Sequence, residues 1–324
     1  MAVKRFADIG RGAAASQTPA PTFEAFLDQH PLYSTAFNQL QEDSRLLAMS
    51  AQLVYELHGA ELGSVADEIL AFIHHAFPAD YVHKYIARVN TLAQLQTQFE
   101  AHPCVETLGS SNTVEADEYG LALLLSIVFT NHRFEIMAAL DSFLMSLAAI
   151  SPSGRIASIG AGTGYELKRA VQILPAWTVE AYDLDPKMLD LARRLLHFFG
   201  LSQCVHFATE FPLRESTPTT HEQYHAIILC EVLEHLPDPS GALQTLRECL
   251  KRDGRMFVTM AINIAQEDHV FWYPDVDTCR RQIYENGFRT TQEWISPQTI
   301  MPPPSNRELG FRKGNYIAVL ERRF

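Results

Sequence analysis

Residues 156–165 read IASIGAGTGY, an apolar stretch that runs directly into three glycines, Gly160, Gly162 and Gly164. The apolar residues predict a buried strand, and the helical spacing of apolar residues that follows predicts a helix. Glycines between a strand and a helix allow a tight turn and let the backbone approach a ligand without Cβ clashes. The N–H groups at the helix start favour an electron-rich group there. We therefore expect a ligand at this loop.

The chain on either side of the loop divides into two regions. From 151 onward, short β-rich runs alternate with helical runs, which predicts βαβ units. We expect an α/β fold, a doubly wound, mostly parallel, seven-stranded Rossmann-like sheet, over residues 151–324. Residues 22–150 place apolar residues three and four apart and predict an all-helical domain that caps the site or forms a homodimer. Residues 1–21 are small and polar and predict a disordered arm.

The composition indicates a globular chain without a polyanionic partner. The 324 residues are 47% hydrophobic and have a formal net charge of −12, concentrated in residues 1–150. This balance disfavours nucleic acid and anionic membrane surfaces, because both are bound through Lys and Arg. The most apolar run, at 121–129, is too short to span a membrane and predicts a buried helix. Five scattered cysteines and the lack of an apolar leader favour a cytoplasmic location and a small-molecule substrate.

An acidic residue follows the second predicted strand of the sheet. Asp183 ends the run VEAYD, where a carboxylate can accept both hydroxyls of an adenosine ribose. A dinucleotide loop would have the spacing GxGxxG, but this loop reads GxGxG and has Tyr165 at the third glycine position of that pattern. No P-loop lysine follows either. The loop and the acid together predict a nucleoside ligand other than a dinucleotide.

Several segments in order resemble the class I S-adenosylmethionine-dependent methyltransferases. They are IASIGAGTGYE, VEAYDLDPKMLDLAR, FATEFPL, YHAIILCEVLEHLPDP and LRECLKRDGRMFVTM, and the resemblance covers about residues 150–324. It implies S-adenosylmethionine as the cofactor. Three places depart from the family pattern: Ser158 replaces the usual acid before the loop, Ala208-Thr209-Glu210 replace the usual Asp after the third strand, and Arg252-Asp253-Gly254 replace the usual KPGG turn.

The resemblance implies a role for each residue along the cofactor. The loop, with Gly164 at its end, would pass beneath the methionine moiety, and Asp183 would hold the ribose. Leu184 would pack on the adenine, with Thr209 or Glu210 at its edge. The full set of implied cofactor residues is Ser158, Gly160, Ala161, Gly162, Gly164, Asp183, Leu184, Thr209, Glu210 and Cys230, with Glu231 beside the methyl-bearing sulfonium.

Acidic and imidazole groups follow the fourth and fifth strands. Glu231, Glu234 and His235 lie in CEVLEHL, and His269 lies in QEDHVFWYPD. Such groups can accept a proton from a nucleophile and are the candidate catalytic residues. The same four could hold a divalent metal, in a pattern that resembles the small-RNA 2′-O-methyltransferases and the ubiquinone-pathway O-methyltransferases. Because EVLEHL also occurs in metal-free members of the class, a site without metal is the preferred interpretation.

Three further side chains are candidates for contact with the substrate. Arg133 could bind a substrate carboxylate, although an ion pair with Glu135 or another neighbour is the preferred interpretation. Tyr165 could contact the substrate, and Trp272 could wall a pocket with Phe271 and Tyr273 or pack in the core. We expect methyl transfer to oxygen or nitrogen of a small, biosynthetic acceptor. A metal-assisted O-methyltransferase and a non-catalytic partner or regulatory protein that keeps the fold are the alternatives.

Overall fold

The computed structural model describes residues 4–5, 22–43, 45–78, 116–210, 222–264, 269–297 and 313–324. Of the predicted arm, only Lys4 and Arg5 fall within these ranges. The sequence also predicts loops at 102–114 and 301–314, of which the first lies outside these ranges, as does the second up to residue 312. Within the described ranges, no helix combines the length and apolar character needed to cross a membrane.

The N-terminal region is helical over its described residues. Thr22 caps the first helix by accepting a hydrogen bond from the N–H of Ala25 at 3.2 Å. Gly59 and Gly63 predict a break in the helical pattern, and Gly59, with a φ of 44°, kinks the third helix. The helices are α1 (Phe23–Gln29), α2 (Pro31–Asp43), α3 (Arg45–Ala76), α4 (Ala116–Phe129) and α5 (Asn131–Ile150).

The expected sheet follows, and its elements alternate along the chain. The strands are β2 (Arg155–Ile159), β3 (Thr178–Tyr182), β4 (Val205–Ala208), β5 (Tyr224–Cys230), β6 (Leu250–Ile262), β7 (Phe288–Pro297) and β8 (Gly314–Arg322). A two-residue strand, β1 (Lys4–Arg5), adds to the edge at β7. The helices between them are α6 (Tyr165–Ile173), α7 (Pro186–Phe198), α8 (Pro239–Cys249) and α9 (Val276–Glu285).

The strand order locates the functional edge. The order is β1-β7-β8-β6-β5-β2-β3-β4, with β8 antiparallel to both of its neighbours. The chain runs outward from β2 to β4 and then returns to β5 on the other side of β2. In sheets of this kind, ligands bind at the carboxyl ends of the strands where the order reverses. That point is the edge where β2 and β5 end.

Both faces of the sheet are covered. One continuous core joins the N-terminal helices, α6 and α7 to one face, as in the contact between the rings of Phe143 and Phe257 at 5.6 Å. A second core packs α8 and α9 on the other face. The N-terminal helices therefore share a core with the sheet, and the first turn of α5 lies over its carboxyl edge. We call these helices, α1 to α5, the cap.

Candidate active site

The glycine loop connects β2 to α6 at the carboxyl edge of the sheet. Gly160 and Gly164 have φ values of 69° and 81°. A Cβ on Gly160 would lie 2.5 Å from Cγ2 of Val232, and one on Gly164 would lie 2.8 Å from Cβ of Ala192. A Cβ on Gly162 would meet nothing nearer than a carbonyl oxygen at 3.9 Å. The loop is thus closed against the protein at both ends and open at its middle, as a ligand cradle requires.

Asp183, directly after β3, holds this loop in place. The N–H of Gly162 donates to its Oδ2 at 3.0 Å, and the N–H of Asp185 donates to its Oδ1 at 3.0 Å. The N–H of Ala161 donates to the carbonyl of Tyr182 at 2.9 Å. Burial raises the pKa of Asp183. The predicted ribose acceptor therefore lies against the loop.

The remaining predicted cofactor residues surround the loop. Leu184 is 81% exposed beside Asp183 and offers an apolar surface that a base could cover. Thr209 and Glu210 directly follow β4 and are exposed, at the same edge of the sheet as Asp183. Ser158 is buried within β2. Cys230 is half-buried at the end of β5, and burial raises the pKa of its thiol.

Glu231 has an unusual backbone for its residue type. Its φ is 52°, a left-handed conformation that costs a non-glycine residue about 1–2 kcal/mol and tends to occur at functional sites. The hydroxyl of Thr259 accepts a hydrogen bond from its N–H at 2.9 Å. The guanidinium of Arg133 forms an ion pair with its carboxylate, and the side-chain amide of Asn315 donates to it. Glu231 is thus held from the cap and from two strands.

Glu234 turns to a different environment. It is 1% exposed, its Oε1 accepts from the N–H of Ala261 at 3.2 Å, and its Oε2 has no hydrogen-bond partner among the described residues. Burial, and then the charge of Glu231, raise the pKa of Glu234 to about 7. Because Glu231 is left-handed and a short 3₁₀ turn begins only at Leu233, the two carboxylates face different partners.

His235 and His269 complete a cluster with Glu234. The two imidazole rings meet edge to face with centroids 4.8 Å apart. One ligand-type atom from each of the three residues lies within 4.8 Å of the others. The Nδ1 of His269 lies 2.9 Å from the carbonyl of Ile264, which can only accept, so Nδ1 carries the proton and Nε2 carries the lone pair when the ring is neutral. Of the four predicted catalytic residues, these three come together and Glu231 lies with Arg133.

The predicted substrate residues occupy three different surroundings. Arg133 pairs with Glu231 across the domain junction, and Glu135 instead accepts a hydrogen bond from Ser296. Tyr165 is fully buried, and its hydroxyl donates to Glu68 of α3 at 3.0 Å, away from the cluster. Trp272 is half-buried in the segment that follows His269. A bridge between Ile262 and Tyr273 holds that segment at the end of β6.

Sequence reasoning missed several groups at this edge. Thr259 and Asn315 lie inside strands, where nothing distinguishes them from core positions. Ser296 pairs in register with Asn315, which places both side chains on the face that α5 covers. The signal that could have found them is their position in the sheet. Thr259 and Ser296 lie near the carboxyl ends of β6 and β7, and Asn315 lies at the start of the antiparallel β8, at the same edge.

Part of the C-terminal domain is similar in sequence to known methyltransferases. Residues 157–256 match the sequence profile of the methyltransferase domain family. A ubiquinone biosynthesis O-methyltransferase of Actinobacillus pleuropneumoniae is 31% identical over 104 residues, which cover 32% of this chain and 44% of that protein. A protein of the same name from Xanthomonas campestris is 30% identical over 108 residues, covering 33% of this chain and 43% of that one. The chain thus matches less than half the length of these relatives.

A solved structure extends the likeness to the cap. The CurJ carbon methyltransferase superposes with a TM-score of 0.51 at 13% identity, over 90% of this chain and 71% of that one. At this identity the likeness concerns the fold alone. The strand order, the glycine loop with Asp183 and the profile match agree with one another. The C-terminal domain thus has the Rossmann-like methyltransferase fold, and its residues 157–256 are similar to the methyltransferase domain family.

Proposed function

We propose that the chain transfers the methyl group of S-adenosylmethionine to a hydroxyl group of a small-molecule acceptor. The observation that carries the proposal is the glycine loop, open at Gly162 and backed by the carboxylate of Asp183. The cofactor, when bound, supplies an activated methyl group with a built-in leaving group. The protein has to bind it, align the acceptor and exclude water.

The residues that would bind the cofactor follow from their places on the edge. Asp183 would accept the ribose hydroxyls, and the exposed side chain of Leu184 would be covered by the adenine. Thr209 and Glu210 would lie at the outer edge of the base. Ser158 offers a hydroxyl in place of a carboxylate near the methionine end, which gives a weaker, uncharged bond there.

An acceptor hydroxyl must lose a proton during the transfer, and the Glu234–His235–His269 cluster can take it. A carboxyl with a pKa of about 7 is divided between its two forms near neutral pH, which suits a general base. The relatives named O-methyltransferase support oxygen as the acceptor atom. Nitrogen stays a second possibility, because an amine needs no strong base.

Calorimetric titration with S-adenosylmethionine tests the cofactor part of the proposal. We expect micromolar binding and a loss of at least tenfold in affinity for Asp183→Asn, because the ribose hydroxyls lose a charged acceptor. Asp190→Asn is the matched control, since this exposed aspartate lies in α7 and pairs only with Arg193 among the contacts seen. No binding by the native protein would favour a non-catalytic role. Transfer of labelled methyl to phenols, but not to their methyl ethers, would then test the acceptor.

A metal-assisted reaction is a second candidate, and one observation favours it. Glu234, His235 and His269 present three ligand-type atoms to one another, and the buried Oε2 of Glu234 has no hydrogen-bond partner in the described part of the chain. Carboxylate and imidazole together suit Mn²⁺ or Zn²⁺. A metal there would lower the pKa of a bound hydroxyl.

Titration with Mn²⁺ and Zn²⁺ after treatment with EDTA separates the two candidates. The metal candidate requires binding heat that disappears in His269→Gln and persists in His197→Gln, an exposed histidine of α7. Methyl transfer that is unchanged by EDTA would exclude a metal from the reaction.

A further inference from the structure

The ion pair between Arg133 and Glu231 joins the cap to the proposed cofactor site. Arg133 lies in the first turn of α5, and Glu231 directly follows β5. Their side chains are 17% and 9% exposed. The pair is therefore shielded from solvent and salt, and a change in either charge would be felt nearby.

Glu231 is fixed close to the glycine loop. Thr259 holds its backbone N–H, and Asn315 and Arg133 hold its carboxylate. The next residue, Val232, packs directly on Gly160, since a Cβ there would lie 2.5 Å from its Cγ2. Glu231 is thus the neighbour in sequence of a residue that contacts the glycine loop.

Arg133 keeps its charge in this setting. Burial opposes the charged form, but Glu231, followed by Tyr119, Glu166 and Glu234, outweighs burial and raises the pKa of Arg133. Together with Glu231 it forms a pair of zero net charge beside the cofactor edge.

We propose that Arg133 determines how strongly this site prefers the substrate cofactor over its demethylated product. The inference rests on the proposed function. S-adenosylmethionine carries a positive sulfonium, whereas S-adenosylhomocysteine has a neutral thioether at the same atom. A lone carboxylate at residue 231 would attract the first and not the second, and a lone guanidinium at residue 133 would repel the first. By neutralising Glu231, the cap keeps the two affinities close and favours exchange of product for substrate.

Calorimetric dissociation constants for both cofactors test the proposal through their ratio. We expect Arg133→Gln to shift the ratio about five- to tenfold toward S-adenosylmethionine, as a unit charge in a shielded site should. Glu231→Gln should shift it in the opposite direction. The double variant has zero net charge again and should restore the native ratio, and Arg133→Lys should keep it. The control is Arg169→Gln, which breaks the 2.6 Å ion pair of Arg169 with Asp141 between α6 and α5 and should leave the ratio unchanged.

The ratio separates an electrostatic role from a structural one. Loss of packing would weaken both cofactors equally and leave the ratio as it is. A ratio within twofold of native in Arg133→Gln, or one that the double variant does not restore, would overturn the inference. Binding of neither cofactor by the native protein would instead contradict the proposed function.

Discussion

The cofactor edge and the cap side of the site are built in different ways. At the cofactor edge, the loop from Gly160 to Gly164 is held by main-chain N–H groups that donate to Tyr182 and Asp183. On the cap side, Glu231 is held by the side chains of Arg133 and Asn315, the latter 84 residues away in sequence. One half of the site depends mainly on backbone geometry, with the carboxylate of Asp183 as one acceptor, and the other half depends on side-chain charge.

The two halves should therefore tolerate different substitutions. A backbone-built loop fails when a Cβ is added, but it is indifferent to charges at a distance. Where charged side chains hold two segments together, an isosteric substitution keeps the geometry and changes the electrostatic free energy of the contact instead.

The largest effect is expected at the end of the loop, for Gly164→Ala. The new Cβ would lie 2.8 Å from Cβ and 2.9 Å from Cα of Ala192, at a φ of 81°. Overpacking against backbone and the left-handed conformation together should destabilise the protein by about 2–4 kcal/mol. Urea unfolding measures the loss.

Gly200→Ala is the matched control for the clash. This glycine has a φ of 72°, but a Cβ there would meet nothing within 4 Å. It should cost only the conformational strain, about 1–2 kcal/mol. Equal losses at the two positions would show that α7 moves aside, and that the loop is less closely packed than its geometry indicates.

A smaller effect is expected where the cap meets α6. The Nζ of Lys168, which is fully buried, donates to Glu68 of α3 at 2.7 Å and lies 4.6 Å from the ring centre of Phe199. Glu68→Ala leaves this ammonium without its carboxylate and should destabilise the protein by about 2–3 kcal/mol. Thermal and urea unfolding would measure it.

Asp141→Ala gives the comparison for this junction. It removes the partner of Arg169, whose side chain is 25% exposed and can be solvated instead. The expected loss is below about 1 kcal/mol. A loss as large as that of Glu68→Ala would show that burial of the cation is not what makes the first pair costly to break.

The backbone-built half could be predicted from the sequence because its signals are local. The strand, the three glycines and the helix of IASIGAGTGYE are contiguous, and Asp183 follows the next strand in register. The helical spacing of the cap and the alternation of strands and helices likewise predicted the fold class. The apolar spacing of residues 114–150 allows one long helix or two shorter ones, and the described residues from 116 onward form two helices that meet at Thr130.

The charge-built half could not be predicted, because its contacts join distant segments. Arg133 was expected to pair with Glu135 or another neighbour, but residues two apart on a helix point to different sides, which excludes Glu135. Glu135 instead contacts Ser296, and Arg133 contacts Glu231. Tyr165 was expected to contact the substrate, yet the helical phase of α6 turns it toward Glu68. No local pattern encodes these choices.

The smallest effect is expected from a change in pH, which acts on two buried histidines of the cap. Burial lowers the pKa of His132 to about 3 and that of His58 to about 4. Both are neutral in the folded protein, whereas the unfolded chain binds their protons near pH 6.5. Their contribution to the free energy of unfolding is thus present above pH 6.5 and is lost as the pH falls toward 4. Between pH 6.5 and 5, His132 alone should account for about 1–2 kcal/mol of lost stability.

The acidic neighbour of these histidines has the opposite sign. Glu135, 3.9 Å from Nε2 of His58, has a pKa that burial raises, so it favours the folded state as the pH falls toward its unfolded value. Urea unfolding from pH 7.5 to 5 should therefore show a shallower loss in His132→Gln than in the native protein. His206→Gln, at an exposed position in β4, should keep the native slope. Identical slopes in all three proteins would mean that His132 is hydrated in the folded state. The contact between the cap and the sheet would then depend less on exclusion of water than on the ion pair of Arg133 with Glu231.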